Sequence, residues 1–331
     1  MKILYAIQGT GNGHLSRAMD IIPCLQKHGE VDILVSGIQG DLNLPFPITY
    51  QYRGLSFIFG KTGGVNLWKT FARTNLRRFF KNLNDLPLEG YNLILNDFEP
   101  VSAWACYFKR KACVGLSHQA AVLTEGYALP ESVDRMGRFI LDHYAPVNHK
   151  YGFHFSADGD NVFTPVIRQQ VREHIVSDEG HYTVYLPSYD DKRLIKQLSE
   201  YKEITWQIFS KHNKKKYESK NITIFPIDNK GFTASMASSS GVLCGAGFET
   251  PAEALFLGKK LLVIPMKNQY EQHLNAAALK SMDVSVVKNL KPKNEAEIRE
   301  WLDRGRVIPV NYPNQTQEII DSIVAKHAIL F

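Results

Sequence analysis

The sequence predicts an α/β protein made of two consecutive domains, and three observations predict it. Short apolar runs alternate with helix-length stretches in two separate series. Each series contains a strand that ends in a glycine-rich turn and passes straight into a helix. A length of 331 residues, 44% of them hydrophobic, suits two cores of about 150 residues each. The same figures exclude a disordered chain and a small disulfide scaffold.

The first series opens on Ile3-Leu4-Tyr5-Ala6-Ile7, short, apolar and followed at once by glycines, as a buried parallel strand reads. After the turn Gln8 to His14 comes a helix with Leu15, Ala18, Met19, Ile22 and Leu25 as its apolar positions. Strands at 31–35, 91–95 and 112–116 follow at helix-length intervals. Between 163 and 182 the rhythm is lost in a polar segment, which places the domain boundary there. The first domain is therefore 1–165 and the second 183–314. The second repeats the signal at 182–186, 205–209, 222–225, 241–244 and 261–264, with helices at 250–257 and 271–281. The closing segment, 315–331, is amphipathic through Ile319, Ile320, Ile323 and Val324 and reads as a helix able to pack across both domains.

Cys24, Cys106, Cys113 and Cys244 form no short-spaced ligand pair and sit in or beside apolar stretches, so they read as reduced core residues of a cytoplasmic protein. No run of 18 apolar residues and no signal-peptide pattern is expected to take the chain across a membrane. The formal net charge of +6 suits an anionic ligand or surface and is too small to indicate nucleic acid. One cluster stands out. Between Leu67 and Leu83, Lys69, Arg73, Arg77, Arg78 and Lys81 flank Trp68, Phe71, Leu76, Phe79, Phe80 and Leu83. At helical spacing this is an aromatic stripe edged by cations, suited either to an anionic bilayer surface or to core packing with a solvated basic face.

The turn Gly9-Thr10-Gly11-Asn12-Gly13-His14 lets backbone N–H groups approach an anion at a helix N-terminus. It fits neither the dinucleotide fingerprint, because His14 stands where a glycine would fall, nor a nucleoside-triphosphate loop, because lysine is missing. His14 at that position is a candidate general base, and Arg17 one turn on a candidate for an acceptor phosphate or carboxylate. Asp97 and Glu99 follow the run Leu93-Ile94-Leu95, at the end of a sheet strand where α/β ligands gather. Either carboxylate can orient an imidazole, act as base or cap the helix after Pro100. His118 follows the next strand in the same manner, as a residue lining the cleft or bonded within a loop.

The second domain carries Cys244-Gly245-Ala246-Gly247-Phe248-Glu249-Thr250-Pro251-Ala252-Glu253, again strand, glycine turn and helix. Thr250 reads as the cap of a helix begun by Pro251, with free amides facing a phosphate. Glu253 is placed for paired ribose hydroxyls, or as an exposed first-turn glutamate. Glu271 and Gln272, at the next helix start, suit the hydroxyls of a sugar or simply solvent.

Three blocks, residues 3–17, 94–100 and 241–278, together resemble the GT-B glycosyltransferases related to the peptidoglycan enzyme that adds N-acetylglucosamine to a lipid-linked muramoyl precursor (the glycosyltransferase 28-like group). The resemblance implies two Rossmann-like domains facing a cleft, with a nucleotide-sugar donor, uridine-linked in that group, held by the second and a hydroxyl acceptor by the first. It puts the diphosphate at Gly245, Ala246 and Gly247, the ribose at Glu253 and the donor sugar at Glu271 and Gln272; Phe248 and Thr250, next along that turn, are read as donor-binding with them. Gly11, Asn12, Gly13 and His14 fall on the acceptor side, where the resemblance implies general-base or acceptor-orienting duty for His14. For inverting transfer we assign the proton-accepting task to His14, with Asp97 as its orienting partner. Neither cofactor nor metal is implied; Asp190-Asp191 and Asp158-Gly159-Asp160 read as surface turns. Glu271 replaces the first of a paired glutamine, and Asn12 and Arg17 depart from that enzyme's loop, so its sugar and acceptor do not transfer. A lipid or glycolipid acceptor met at the inner face of the membrane is the associated expectation. A nucleotide-sugar epimerase of the same fold and a noncatalytic nucleotide-sugar or lipid-binding module are the competing readings.

Overall fold

The computed structural model describes residues 1–37, 44–54, 76–130, 132 and 134–329. Among these residues its two lobes are each built on a sheet of seven strands. The first holds β1 (Lys2–Gln8), β2 (Glu30–Ser36), β3 (Tyr50–Tyr52), β4 (Leu93–Asp97), β5 (Val114–Ser117), β6 (His149–Phe153) and β7 (Val162–Phe163), all parallel, in the order β3-β2-β1-β4-β5-β6-β7. The chain leaves β1 toward one edge and returns to its other side at β4. Connections from these two strands therefore part at their carboxyl ends and leave a crevice, the usual ligand position in such a sheet. Ile7 pairs with Asp97 at that end.

The second sheet holds β8 (His181–Tyr185), β9 (Thr205–Ser210), β10 (Tyr217–Ser219), β11 (Ile222–Pro226), β12 (Gly241–Gly245), β13 (Lys260–Ile264) and β14 (Ser285–Val286), in the order β10-β11-β9-β8-β12-β13-β14. Only β10 runs antiparallel. Here the parting lies between β8 and β12. The strongly apolar strands fall where their runs predict. Short edge strands such as β3, β7, β10 and β14 span only two or three residues each, too few to give such a signal.

Among the described residues the α-helices are α1 (Gly13–Gln26), α2 (Leu76–Asp85), α3 (Pro100–Lys109), α4 (His118–Ala121), α5 (Arg135–His143), α6 (Gln169–Arg172), α7 (Asp191–Leu198), α8 (Asn229–Ser238), α9 (Glu249–Phe256), α10 (Tyr270–Ser281), α11 (Glu295–Arg304) and α12 (Thr316–His327). One apolar cluster runs from Ile3, Tyr5 and Ile7 through α1 and α12 to Val242, Cys244 and Phe248 of the second lobe. Helix α12 returns to the first lobe, where Asp321 meets His28 at 2.7 Å, Tyr151 bonds His327 and Ile329 N–H donates to Asn92. Of the expected helix over 67–83, residues 67–75 lie outside the described ones. On α2, Phe79 and Leu83 are buried while Leu76 and Phe80 are exposed, so the stripe is split between core and surface. Asp190 caps α7, and Asp191 accepts from Ser210 and Tyr217. Among the described residues no helix is long and apolar enough to cross a membrane, and no three His, Cys, Asp or Glu side chains are grouped to hold a metal.

Candidate active site

The glycine turn after β1 and the turn after β4 converge on one buried group. His14 Nδ1 lies 2.8 Å from Asp97 Oδ1. Arg17, one turn further along α1, donates through one nitrogen to both Asp97 oxygens at 2.7 and 2.8 Å. A lone pair on Nδ1 facing a carboxylate at this distance would repel it, so Nδ1 carries the proton and Nε2 is left as the acceptor. His14 is 13% exposed and Asp97 is fully enclosed. Burial pushes the Asp97 carboxyl up, but the charges of Arg17 and His14 outweigh it and hold it below the usual carboxylate range. For His14, burial lowers the imidazole, and the charge and hydrogen bond of Asp97 more than offset it, leaving it above the ordinary histidine value.

The turn that presents Asp97 is built by its neighbours. Asn96 Nδ2 donates to the Glu99 carbonyl and to Ser102, and Asn96 Oδ1 accepts from Glu99 N–H. Glu99 caps α3 by accepting from Val101 and Ser102 at 2.7 and 2.6 Å, and Ser36 also donates to it. Closing this turn drives Phe98 to φ 55°, a left-handed conformation costly for an aromatic residue, while its ring stacks parallel to His14 at 6.5 Å. Glu99 is therefore spent on the helix end and does not join His14.

Opposite stands the turn after β12. Helix α9 starts at Glu249 with Phe248 as its cap position, so Thr250 lies inside the helix and does not cap it. Neither Gly245 nor Gly247 has a positive φ, and a Cβ on Gly247 would meet nothing within 4 Å. Protein packing therefore leaves open space over Gly247. Ala246 is fixed from behind, its carbonyl accepting from Asn275 at 3.0 Å. Gln272 Oε1 accepts from Met266 N–H, pinning the loop before α10, and Glu271 is half-buried at the same helix start.

Two residues, Arg17 and Glu253, stand elsewhere than their sequence positions suggest, and a third, His118, takes the hydrogen-bonded of its two readings. Arg17, expected to offer a guanidinium to an acceptor, is 1% exposed and turned inward onto Asp97 and Glu249. Glu253 is buried, with both oxygens accepting from Arg168 at 2.5 and 2.7 Å, in place of the open carboxylate that a ribose contact implies. His118 is enclosed at the lobe junction: Nδ1 faces the Phe153 carbonyl, Nε2 faces Asn275 at 2.6 Å, and the ring stacks on Phe248 at 3.9 Å. Packing across the lobes claims these side chains, and local sequence does not record it.

Glu249, Phe98, Arg168 and Asn275 were not singled out by the sequence. Glu249 crosses to Arg17 at 2.5 Å, and a Cβ on Gly13 would lie 2.5 Å from its Oε2. A side chain at Gly13 would therefore displace the Glu249 carboxylate. A first-turn glutamate after a glycine turn is the only local signal for Glu249, and an ordinary helix-dipole residue would give the same one.

The chain matches the family described as Glycosyl transferase family 1 over residues 1–305. Among solved structures it is similar to Acinetobacter baumannii MurG, at 16% identity and a TM-score of 0.58, over 98% of this chain and 99% of that one. It is similar to the Streptomyces sp. SF2575 glycosyltransferase SsfS6 complexed with thymidine diphosphate, at 12% identity and 0.59, over 98% and 99%. LpCGTa in complex with UDP matches at 11% identity and 0.57, over 99% of each chain. No curated protein sequence matches the chain. These likenesses establish a GT-B architecture of two Rossmann-like lobes, and with the match across nearly its whole length the chain belongs to glycosyl transferase family 1.

Proposed function

We propose that this protein is an inverting glycosyltransferase that moves a sugar from a nucleoside-diphosphate donor, uridine-linked, to a hydroxyl acceptor. The observation that carries the reading is His14, oriented through Nδ1 by the buried Asp97 across from the glycine turn of the second lobe, open over Gly247. Nε2 takes the acceptor proton as the hydroxyl attacks the anomeric carbon and the nucleoside diphosphate departs from the opposite face. Amides of the second turn and the α9 N-terminus receive the growing diphosphate charge. Asp97 is enclosed and fully paired, so it is not free to attack the sugar, and a single displacement with inversion follows. The nucleotides held by SsfS6 and LpCGTa agree with a pyrimidine nucleoside diphosphate.

The acceptor we assign to a lipid or glycolipid at the cytoplasmic membrane face, nearest in kind to the acceptor of the peptidoglycan-related branch. Exposed Leu76 and Phe80 on α2 stand with Arg77 and Lys81, and the neighbouring end of α3 adds exposed Tyr107 and Phe108 with Arg110. Lys109 ties the two helix ends by donating to the carbonyls of Asn84 and Leu86.

Calorimetry of the full chain with uridine- and thymidine-diphosphate sugars tests the donor, and inactivation by His14→Ala with donor binding kept tests the base. Folded protein that binds no nucleotide sugar overturns the transferase reading. Free epimer released without transfer identifies an epimerase, and binding without any turnover a carrier.

A further inference from the structure

Arg17 holds a charge balance that neither lobe completes alone. Its guanidinium faces Asp97 of its own lobe and Glu249 of the other, and lies 3.1 Å from His14 Nδ1. Tyr5 also lies against this cluster; burial, then the Asp97 charge, push its phenol well above the ordinary value, so it stays neutral. On the far side of Glu249 stand Arg168 and Glu253, a buried ion pair whose charges cancel. The rings of Phe98 and Phe153 stack against His14 and Arg17 respectively and bring no charge. With Asp97 and Arg17 alone the charges cancel, and a proton on His14 leaves an unbalanced cation in a buried place. With Glu249 in contact the three charged groups sum to one negative charge, and the same proton makes the whole cluster neutral. In a poorly screened interior the second arrangement favours protonation of His14.

We propose that Glu249, acting through Arg17, is a positioning residue that adds to the basicity Asp97 gives His14 when the glycine turn of the second lobe seats against the first. This rests on the reading of His14 as the base. The seating is specific, because Glu249 follows Gly247 by two residues and meets the first lobe where Gly13 has no side chain to hold it off. Seating of the donor turn and the basicity of His14 are then coupled through Glu249. The Glu249 charge acts in the direction required, raising the His14 imidazole against the opposing effect of Arg17.

The test needs neither donor nor acceptor. Ring protons of His14 are followed by NMR across pH in the free full chain, with His14→Gln giving the assignment. Glu249→Gln keeps an oxygen for the Arg17 bond and removes only the charge. Its His14 midpoint is expected to fall by roughly one pH unit, and Glu249→Asp, which keeps the charge, moves it less. An unchanged midpoint in a folded Glu249→Gln protein overturns the proposal, as does an equal shift in both variants, which would make packing the cause. Should Glu249→Gln not fold, Gly13→Ala, which displaces the carboxylate without altering any charge, must lower the midpoint; no shift there overturns the proposal equally. Failure of nucleotide-sugar binding with the midpoint shift intact would sink the transferase reading alone.

Discussion

Asp97 accepts from Arg17 through both oxygens, at 2.7 and 2.8 Å, while sharing Oδ1 with His14 at 2.8 Å. One enclosed carboxylate thus fixes the tautomer of the imidazole and neutralises a buried guanidinium. These two duties make its removal costly in two separable ways.

Asp97→Asn removes the charge that steadies a protonated His14 and presents an amide donor where Arg17 also donates. Turnover is expected to fall on the order of 10²–10⁴-fold. Leaving the Arg17 cation buried without its partner costs about 3–5 kcal/mol of stability. Steady-state kinetics and urea unfolding check the two effects; near-normal turnover would remove Asp97 from the reaction.

The pH dependence follows from the direction of the His14 shift. Its folded value lies above the unfolded one near 6.5, because Asp97 outweighs burial. The stability that His14 contributes is therefore full below the unfolded value and lost as pH rises through the folded one. His14→Gln should be most destabilised relative to the parent near pH 6 and converge with it at alkaline pH. Activity needs the neutral ring, so kcat should rise with pH along a limb displaced above the ordinary imidazole midpoint.

His154 gives the opposite sign. Burial, helped by repulsion from His118, pushes it down to about 3, so it is neutral in the folded chain and protonated after unfolding at pH 4 to 6. Stability should therefore decline as pH falls from 6.5 toward 3, by at most about 1.4 kcal/mol per pH unit from this group. His154→Gln is expected to flatten that slope in urea titrations run at successive pH values. An unchanged slope would mean that His154 is not the group responsible.

Glu253 and Arg168 form a buried pair between the second lobe and the segment joining the lobes. Glu253→Gln alone should cost about 3–5 kcal/mol by stranding Arg168, whereas Glu253→Met with Arg168→Met should recover most of it. A double-mutant cycle measures the coupling, and additive effects would mean that the pair is not energetically linked.

Binding to an anionic bilayer should depend on both components of the α2 and α3 surface. Phe80→Ser and the pair Arg77→Glu with Lys81→Glu are each expected to reduce cosedimentation with phosphatidylglycerol vesicles. Only the charge variant should abolish the salt dependence. Equal binding of all variants would remove this surface from membrane contact.

Legibility of the sequence differed by element for physical reasons. The strands of both sheets around β1, β4, β8 and β12 are enclosed on two faces and carry mostly apolar runs, which makes them readable. Edge strands β3 and β10 bury little, so no pattern marks them. Within the site, His14, Asp97 and the glycines at 245 and 247 stand out because chemistry or close backbone approach restricts what can occupy a strand end. The fates of Arg17, Glu253 and His118 were not readable, since each is decided by a partner 85 to 232 residues away.

By itself the sequence determined two α/β lobes, two glycine turns opening helices and a histidine beside one of them, because periodicity and turn chemistry are local properties. Only the tertiary structure decided that Arg17 faces inward, that Glu253 is locked to Arg168, that Glu99 caps a helix and that Glu249 completes the charge around His14. Those outcomes depend on which buried cation each carboxylate meets. That is settled when the lobes pack, since a charge removed from water takes whatever counter-charge the other surface brings to it.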